Sequence, residues 1–335
     1  MRAAVFHGPR ALRVEEVPEP QAGPRDIVVS VRACGVCGTD LHAYADGTLV
    51  APGQVLGHEF AGEVVAVGRM VDGIRAGDRI TASPLQPCRR CARCAEGRFN
   101  LCDTAWSTAI GLGEPGAFAE RVRIPDARLG ENVFQLADEL SFAAAATTEP
   151  LAVAVHGVRL APQVSAATTA VVLGLGPIGL QCVQVLHAYG AGRVVGVDLS
   201  ALRRAAAEAI GAEATADLAG LEAVDVVFEC TGVAALALQA LRTVRAGGTA
   251  VLLAVYADRF TLNPNLVVSR ELAVRGAIAY TAGDFAEAVR LLATGAARGD
   301  ALISHRTPLA DITRAFELQQ EKDRSLKVLV EPHAG

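Results

Sequence analysis

Aromatic side chains make up only 4% of this 335-residue chain, with one tryptophan and four tyrosines. Since 51% of the residues are hydrophobic, a large core is available but must be built from small aliphatic side chains. That composition suits parallel strands packed closely against helices. Lysine is scarcer still: Lys322 and Lys327 are the only two, and the excess of arginine reads as codon bias rather than function. No basic block is present to follow a phosphate backbone, and the net charge is −5, so nucleic acid is not an expected partner. Long apolar runs are missing as well. The nearest, 170–186, is interrupted by Gly174, Gly176, Pro177 and Gly179, which argues against a membrane span. The opening MRAAVFHGPR lacks a basic-then-apolar leader pattern, so a soluble, cytoplasmic protein is expected.

What is present falls into two parts of different grammar. Up to about Ala146 the chain reads as short strands punctuated by glycine and proline, with strands expected at 27–32, 62–67, 78–82 and 118–124. This predicts irregular antiparallel β structure of a barrel-like kind. At Thr169 apolar strands begin to alternate with helices: TAVVLGLG, then PIGLQCVQVLHAYGA, RVVGVD, ALRRAAAEAIGA, AVDVVFECTG, VAALALQALRTVRAGG and TAVLLAVY. Strict alternation with short links predicts a parallel, doubly wound α/β sheet. LAVRGAIAY would be its last strand. Helices over DFAEAVRLLATGA and ADITRAFELQQEKD follow, and the strand SLKVLVEP returns to the first part. The expected domains are therefore 1–148 with 282–335, and 149–281.

Gly174-Leu175-Gly176-Pro177-Ile178-Gly179 forms a GxGxxG loop between a predicted strand and a predicted helix. The first glycine permits a tight turn and the second lets backbone amides approach a pyrophosphate. The third packs helix on strand, and the helix N-terminus attracts negative charge. Pro177 and Ile178 lie within the turn. Asp198 follows Gly179 by nineteen residues, at the end of the next strand. Its carboxylate can accept bonds from ribose hydroxyls and would repel a 2′-phosphate, which favours NAD over NADP. Arg203 and Arg204 could attract such a phosphate, or Arg203 could line the ribose beside Asp198. Thr231 and Gly232, which end VFECTG, fall where the backbone must pass close to a cofactor.

Six of the eight cysteines lie between Cys34 and Cys102. Cys88, Cys91, Cys94 and Cys102 follow C-x2-C-x2-C-x7-C, and four thiolates this close can enclose one zinc ion, leaving no open position. The segment cannot bury a core unaided, so metal would fold it. Three-cysteine runs also hold iron–sulfur clusters, but a nucleotide site elsewhere makes zinc the better reading. Upstream, Cys37 stands in ACGVCGTDLH and His58 and Glu59 stand in GHEF. They offer one soft, one borderline and one hard donor, a set that fits zinc. Cys34, Cys182 and Cys230 read as packing thiols. Trp106, Phe118 and Tyr280 are candidates for shaping a substrate pocket.

GHE, CGTDLH, the four-cysteine lobe and GLGPIG, in this order and spacing, resemble the zinc-containing alcohol dehydrogenases of the medium-chain dehydrogenase/reductase superfamily. The resemblance covers essentially the whole chain. TEPLAVAVHGV, DLSALR, ECTG and the late GAIAY with DFAEAV make it most similar to the polyol branch of butanediol, sorbitol and threonine dehydrogenases. It implies a GroES-like catalytic domain, a Rossmann NAD-binding domain, one catalytic and one structural zinc, and a homodimer or homotetramer. The simple alcohol dehydrogenases hold catalytic zinc with two cysteines and one histidine. No cysteine occurs here between Cys102 and Cys182, and Glu149 in TTEP takes the matching place. Cys37 and His58 are then the expected permanent ligands, with Glu59 or Glu149 completing the shell directly or through water.

The chemistry implied is hydride transfer between a secondary alcohol (a diol, polyol, cyclitol or amino alcohol) and NAD⁺, giving the ketone and NADH. By resemblance, Thr39 receives the hydroxyl proton, the cofactor ribose passes it on, and His42 delivers it to solvent. Such a relay contributes about 10²–10⁴-fold. Thr39 could also serve as a helix N-cap, and Asp40 is expected to support the loop. A zinc-free quinone reductase of the same superfamily and a non-enzymatic NAD-binding protein are the alternatives. The metal donors Cys37, His58 and Glu59 argue against both.

Overall fold

The computed structural model describes residues 1–334. An antiparallel hairpin opens the chain, β1 (Arg2–Gly8) with β2 (Ala11–Glu16). Five short strands follow: β3 (Ile27–Gly35), β4 (Glu59–Val67), β5 (Arg79–Ala82), β6 (Arg121–Ile124) and β7 (Val133–Gln135). The alternating segment supplies β8 (Thr169–Leu173), β9 (Arg193–Val197), β10 (Glu213–Thr215), β11 (Val224–Glu229), β12 (Val244–Leu252) and β13 (Ala273–Gly276). Last come β14 (Ile303–Pro308) and β15 (Lys327–Glu331). Two compact units result. The first contains Met1–Glu149, Tyr280–Glu321 and the chain from Lys327 onward; the second contains Pro150–Ala279 and Lys322–Leu326.

The first unit is built on a seven-stranded sheet in the order β14-β15-β3-β4-β5-β7, with β6 paired to β3. Only β14 and β15 run parallel; the other pairings are antiparallel. The C-terminal strand therefore sits inside the sheet, between β14 and β3. Alternation along β3 and β4 sends Ile27, Val29, Phe60 and Val64 into a core shared with Phe6, Phe118 and Phe316. Phe118 is fully buried there, edge-on to Phe316 at 5.6 Å between ring centroids. The expectation that it shapes a substrate pocket is thereby corrected: burial against apolar neighbours, not ligand contact, places it.

The second unit holds six parallel strands in the order β10-β9-β8-β11-β12-β13. The chain runs outward from β8 through β9 to β10, then returns to the other side of β8 with β11. In such open α/β sheets, ligands bind beyond the carboxyl ends of the strands at this reversal. Val171, Val195, Val227 and Ala250 fill the sheet interior with Leu241 from the helix Ala234–Thr243. That helix ends earlier than the sequence pattern suggested. Val244 pairs with Val224 in β12, because its branched side chain suits extended backbone, and Gly247 takes a left-handed φ of +72°.

Candidate active site

Cys37, His58 and Glu59 come together in the first unit because the loop after β3 and the start of the interior strand β4 converge. Cys37 is the N-cap of the helix Gly38–Asp46, just beyond β3, and Glu59 is the first residue of β4. Their donor atoms lie within 4.8 Å of one another. Asp40 organises the arrangement. Its carboxylate accepts hydrogen bonds from the Cys37 amide at 2.9 Å and the Gly57 amide at 3.2 Å, and it lies 3.4 Å from His58 Nδ1. A carboxylate behind a histidine in this way fixes the ring for metal binding. Thr39 is therefore not the N-cap; Cys37 takes that position, with Asp40 reaching back to it. The Thr39 hydroxyl lies 3.8 Å from the Cys37 sulfur, and His42 is exposed on the same helix.

Lys327 was not anticipated. It reaches in from β15, is 2% exposed, donates to the carbonyl of Val36 at 3.0 Å and forms an ion pair with Glu59 Oε2. The reading of both lysines as mere composition is thus corrected for Lys327. Gly35 makes the pair possible: a Cβ there would lie 2.1 Å from Glu59 Oε2 and 2.8 Å from Lys327 Cε. The one available sequence signal was a lysine opening the apolar run Val328–Val330 of the closing strand. Burial would lower the His58 pKa, yet Asp40 and Cys37 outweigh it and hold it well above the ordinary histidine range. These surroundings favour a cation where the three donors meet, which is the electrostatic requirement for a metal ion.

Glu149 is buried beside this group but outside the 4.8 Å set. Its pKa is pushed up to about 7, by burial first, with His58 opposing and Glu59 reinforcing the shift. The buried Tyr280 hydroxyl is a polar neighbour of Glu149 and Ser83.

The second cysteine group also closes up. Cys88, Cys91, Cys94 and Cys102 place their sulfurs within 4.8 Å of one another, with Cys88 and Cys94 at 3.9 Å. Zinc–sulfur bonds of about 2.3 Å in a tetrahedron put sulfurs about 3.8 Å apart, so the spacing fits. Burial would raise the Cys102 pKa, but the amides of Cys88 and Thr104 lower it to about 6, whereas burial and the neighbouring cysteines push Cys94 up to about 12. Trp106 belongs to this lobe, its ring nitrogen donating to the Asn100 carbonyl at 3.2 Å. Cys34 and Cys182 are buried; Cys230 lies half-buried just past β11 rather than inside it.

In the second unit the glycine loop has the form its sequence required. Gly174 has a φ of +86°, and a Cβ on Gly179 would come within 1.8 Å of the Gly174 carbonyl oxygen. Gly176 caps the helix Pro177–Ala188, and the nearest atom to a Cβ there would be Arg203 Nη1 at 3.7 Å. Asp198 braces the loop as well as facing it: it accepts from the Leu175 amide at 2.8 Å and the Ser200 amide at 2.9 Å. Arg203 lies 3.8 Å from Asp198, while Arg204 donates to the Asp198 carbonyl at 2.8 Å. Thr231 and Gly232 form the turn after β11, with the Thr231 methyl group against Gly174.

Comparison with known proteins agrees with both units. Residues 23–133 match the alcohol dehydrogenase GroES-like domain, and residues 177–294 match the zinc-binding dehydrogenase family. Sorbitol dehydrogenase of Bacillus subtilis (strain 168) is 32% identical over 99% of this chain and 98% of its own length. The chain belongs to the zinc-binding alcohol dehydrogenases. (R,R)-butanediol dehydrogenase of the same organism is also 32% identical, over 99% of this chain and 100% of its own. A protein of Sinorhizobium meliloti 1021, described as a zinc-binding dehydrogenase and solved with NADP, superimposes with a TM-score of 0.91 at 36% identity, covering 99% of each chain. This dehydrogenase is thus a zinc-dependent, NAD(P)-linked oxidoreductase of alcohols, in the medium-chain fold with GroES-like and Rossmann parts. No helix among the described residues is long and apolar enough to cross a membrane.

Proposed function

We propose that the dehydrogenase oxidises a hydroxyl-rich secondary alcohol (a diol, polyol, cyclitol or amino alcohol) to its ketone, with NAD⁺ preferred over NADP⁺. The observation that carries this is the convergence of Cys37, His58 and Glu59, with a buried glutamate, Glu149, alongside in place of a second cysteine. Cys37, His58 and Glu59 would hold the catalytic zinc, and Glu149 would complete or exchange into the shell. Cys88, Cys91, Cys94 and Cys102 would hold the structural one. When bound, zinc supplies Lewis acidity that makes a hydroxyl easier to deprotonate. Asp40 keeps His58 turned toward the ligand position, and Lys327 holds Glu59 through an ion pair. Thr39 accepts and passes on the hydroxyl proton, and exposed His42, one helical turn on, releases it to solvent. When bound, the nicotinamide would supply a hydride acceptor, so that each alcohol oxidised would give a ketone, NADH and one proton.

In the nucleotide unit, Gly174, Gly176, Pro177, Ile178 and Gly179 would receive the pyrophosphate. Asp198 and Arg203 would face the adenosine ribose, and Thr231 and Gly232 the far half of the cofactor. The two units correspond, in this reading, to a metal-binding and a nucleotide-binding domain. Self-association into a homodimer or homotetramer is supported by β13, an edge strand followed by half-exposed Ile278 and carrying half-exposed Val274. A cytoplasmic location accords with a soluble enzyme of small metabolites.

The test is NAD⁺ reduction, followed by absorbance, across a panel of diols, polyols, amino alcohols and simple alcohols. Preference for a polar class that disappears in Cys37→Ala, with NADH binding retained, is the expected result. Turnover that survives Cys37→Ala would remove Cys37 from the metal site; preference for simple alcohols would overturn the substrate class.

A further inference from the structure

Glu229, the last residue of β11, is a fully buried carboxylate that the chemistry above does not use. All four of its donors are neutral. Oε1 accepts from the Thr231 amide at 2.8 Å and from the Thr231 hydroxyl, while Oε2 accepts from the Gly232 amide at 3.3 Å and from the Tyr256 hydroxyl. A buried charge held only by dipoles is costly to keep unless its geometry matters. Glutamine would be a poor replacement, because its amide donates where four donors already converge.

These bonds join two turns that the sheet alone leaves separate. Thr231 and Gly232 lie beyond the carboxyl end of β11, and Tyr256 lies beyond that of its neighbour β12. The turns touch: a Cβ on Gly232 would come within 2.7 Å of the Val255 carbonyl oxygen. On its other side the first turn meets the glycine loop, since a Cβ on Gly174 would come within 2.6 Å of Thr231 Cγ2. Asp198, at the end of β9, marks the adenosine side of β8. A dinucleotide crossing the loop at the reversal of strand order must then carry its nicotinamide half over the ends of β11 and β12.

We infer that Glu229 is a positioning residue for the nicotinamide half of the cofactor, binding the β11 and β12 turns into one surface through Thr231, Gly232 and Tyr256. The inference rests on the nucleotide reading of the Gly174–Gly179 loop. A strap needed only for folding would affect both halves of the cofactor alike; a positioning role affects one.

The experiment is a fluorescence titration of the purified enzyme with NADH, with ADP-ribose, which lacks the nicotinamide, as competitor. In Glu229→Gln, NADH binding should weaken about tenfold, the loss expected for one charge-assisted hydrogen bond. In Tyr256→Phe, which leaves the carboxylate and its amide donors in place, the loss should be about threefold. ADP-ribose should bind all three proteins equally. Parallel losses for NADH and ADP-ribose, or no loss of NADH in either variant, would overturn the assignment. A wild-type enzyme that bound NADH but gave no displacement by ADP-ribose would overturn the loop reading, and the assignment with it.

Discussion

Glu59 serves two sets of neighbours: its carboxylate lies within 4.8 Å of the Cys37 and His58 donors, and it forms an ion pair with Lys327. Burial would lower the Lys327 pKa, but Glu59 and Cys37 outweigh it and keep the ammonium charged. Removing one member of a buried pair strands the other, at a cost of about 3–5 kcal/mol. Lys327→Met should therefore lower the stability of the first unit in urea unfolding of the zinc-loaded enzyme, by less than that amount to the extent that zinc on Glu59 compensates its charge. An unchanged midpoint would mean that Glu59 finds another cationic partner. Asp198 carries two backbone hydrogen bonds in addition to facing the ribose position. Asp198→Gly should narrow the difference in KM between NAD⁺ and NADP⁺ and also loosen the Leu175 turn, raising both values. A ratio identical to wild type would place cofactor choice elsewhere, with Arg203 the next residue to change.

At the scale of elements, the helix Pro177–Ala188 carries a pH-sensitive contact within the second unit. His187, near its end, lies against Gly211 and is partly buried. Burial depresses its pKa below the ordinary 6.5 more than the Gly211 backbone raises it. The neutral ring is therefore favoured in the folded state, while the unfolded chain takes up a proton near pH 6.5. Its stabilising contribution is complete above that pH and declines as the pH falls toward the folded value. Urea midpoints should drop on acidification through this window, and His187→Gln should flatten the decline; an identical slope would assign acid sensitivity to other groups. The elements also show what local sequence could convey. β8 and its glycine loop were legible because apolar run, turn glycines and helix start are contiguous. The cysteine lobe was legible from spacing alone. β14 and β15 could be assigned no place in a sheet beforehand, since their partners lie far away in sequence. Lys327 and Val36 stand 291 positions apart, and no periodic pattern reports such a pairing. Glu229 and Tyr256 were hidden for the same reason: the carboxylate's burial becomes visible only when β11 and β12 are side by side.

For the whole molecule, β13 leaves one edge of the six-stranded sheet unpaired, and half-exposed Val274 lies on it. If copies associate there, Val274→Lys should reduce the mass measured by light scattering, because edge charge opposes strand pairing. An assembly unchanged by that substitution would locate the contact on another surface. β15 has a different bearing on the protein. It follows β3 and the whole second unit's six strands in the chain, yet it lies between β14 and β3 and brings the ammonium that pairs with Glu59. A nascent chain can already display Cys37, His58 and the four-cysteine lobe, but its Glu59 lacks the Lys327 partner until β15 has been made. Translation that stops short of Lys327 thus yields a chain with a complete nucleotide loop and a metal site lacking its counter-charge. Completion of the metal-binding group in this way waits on a strand made after every strand of the nucleotide-binding unit.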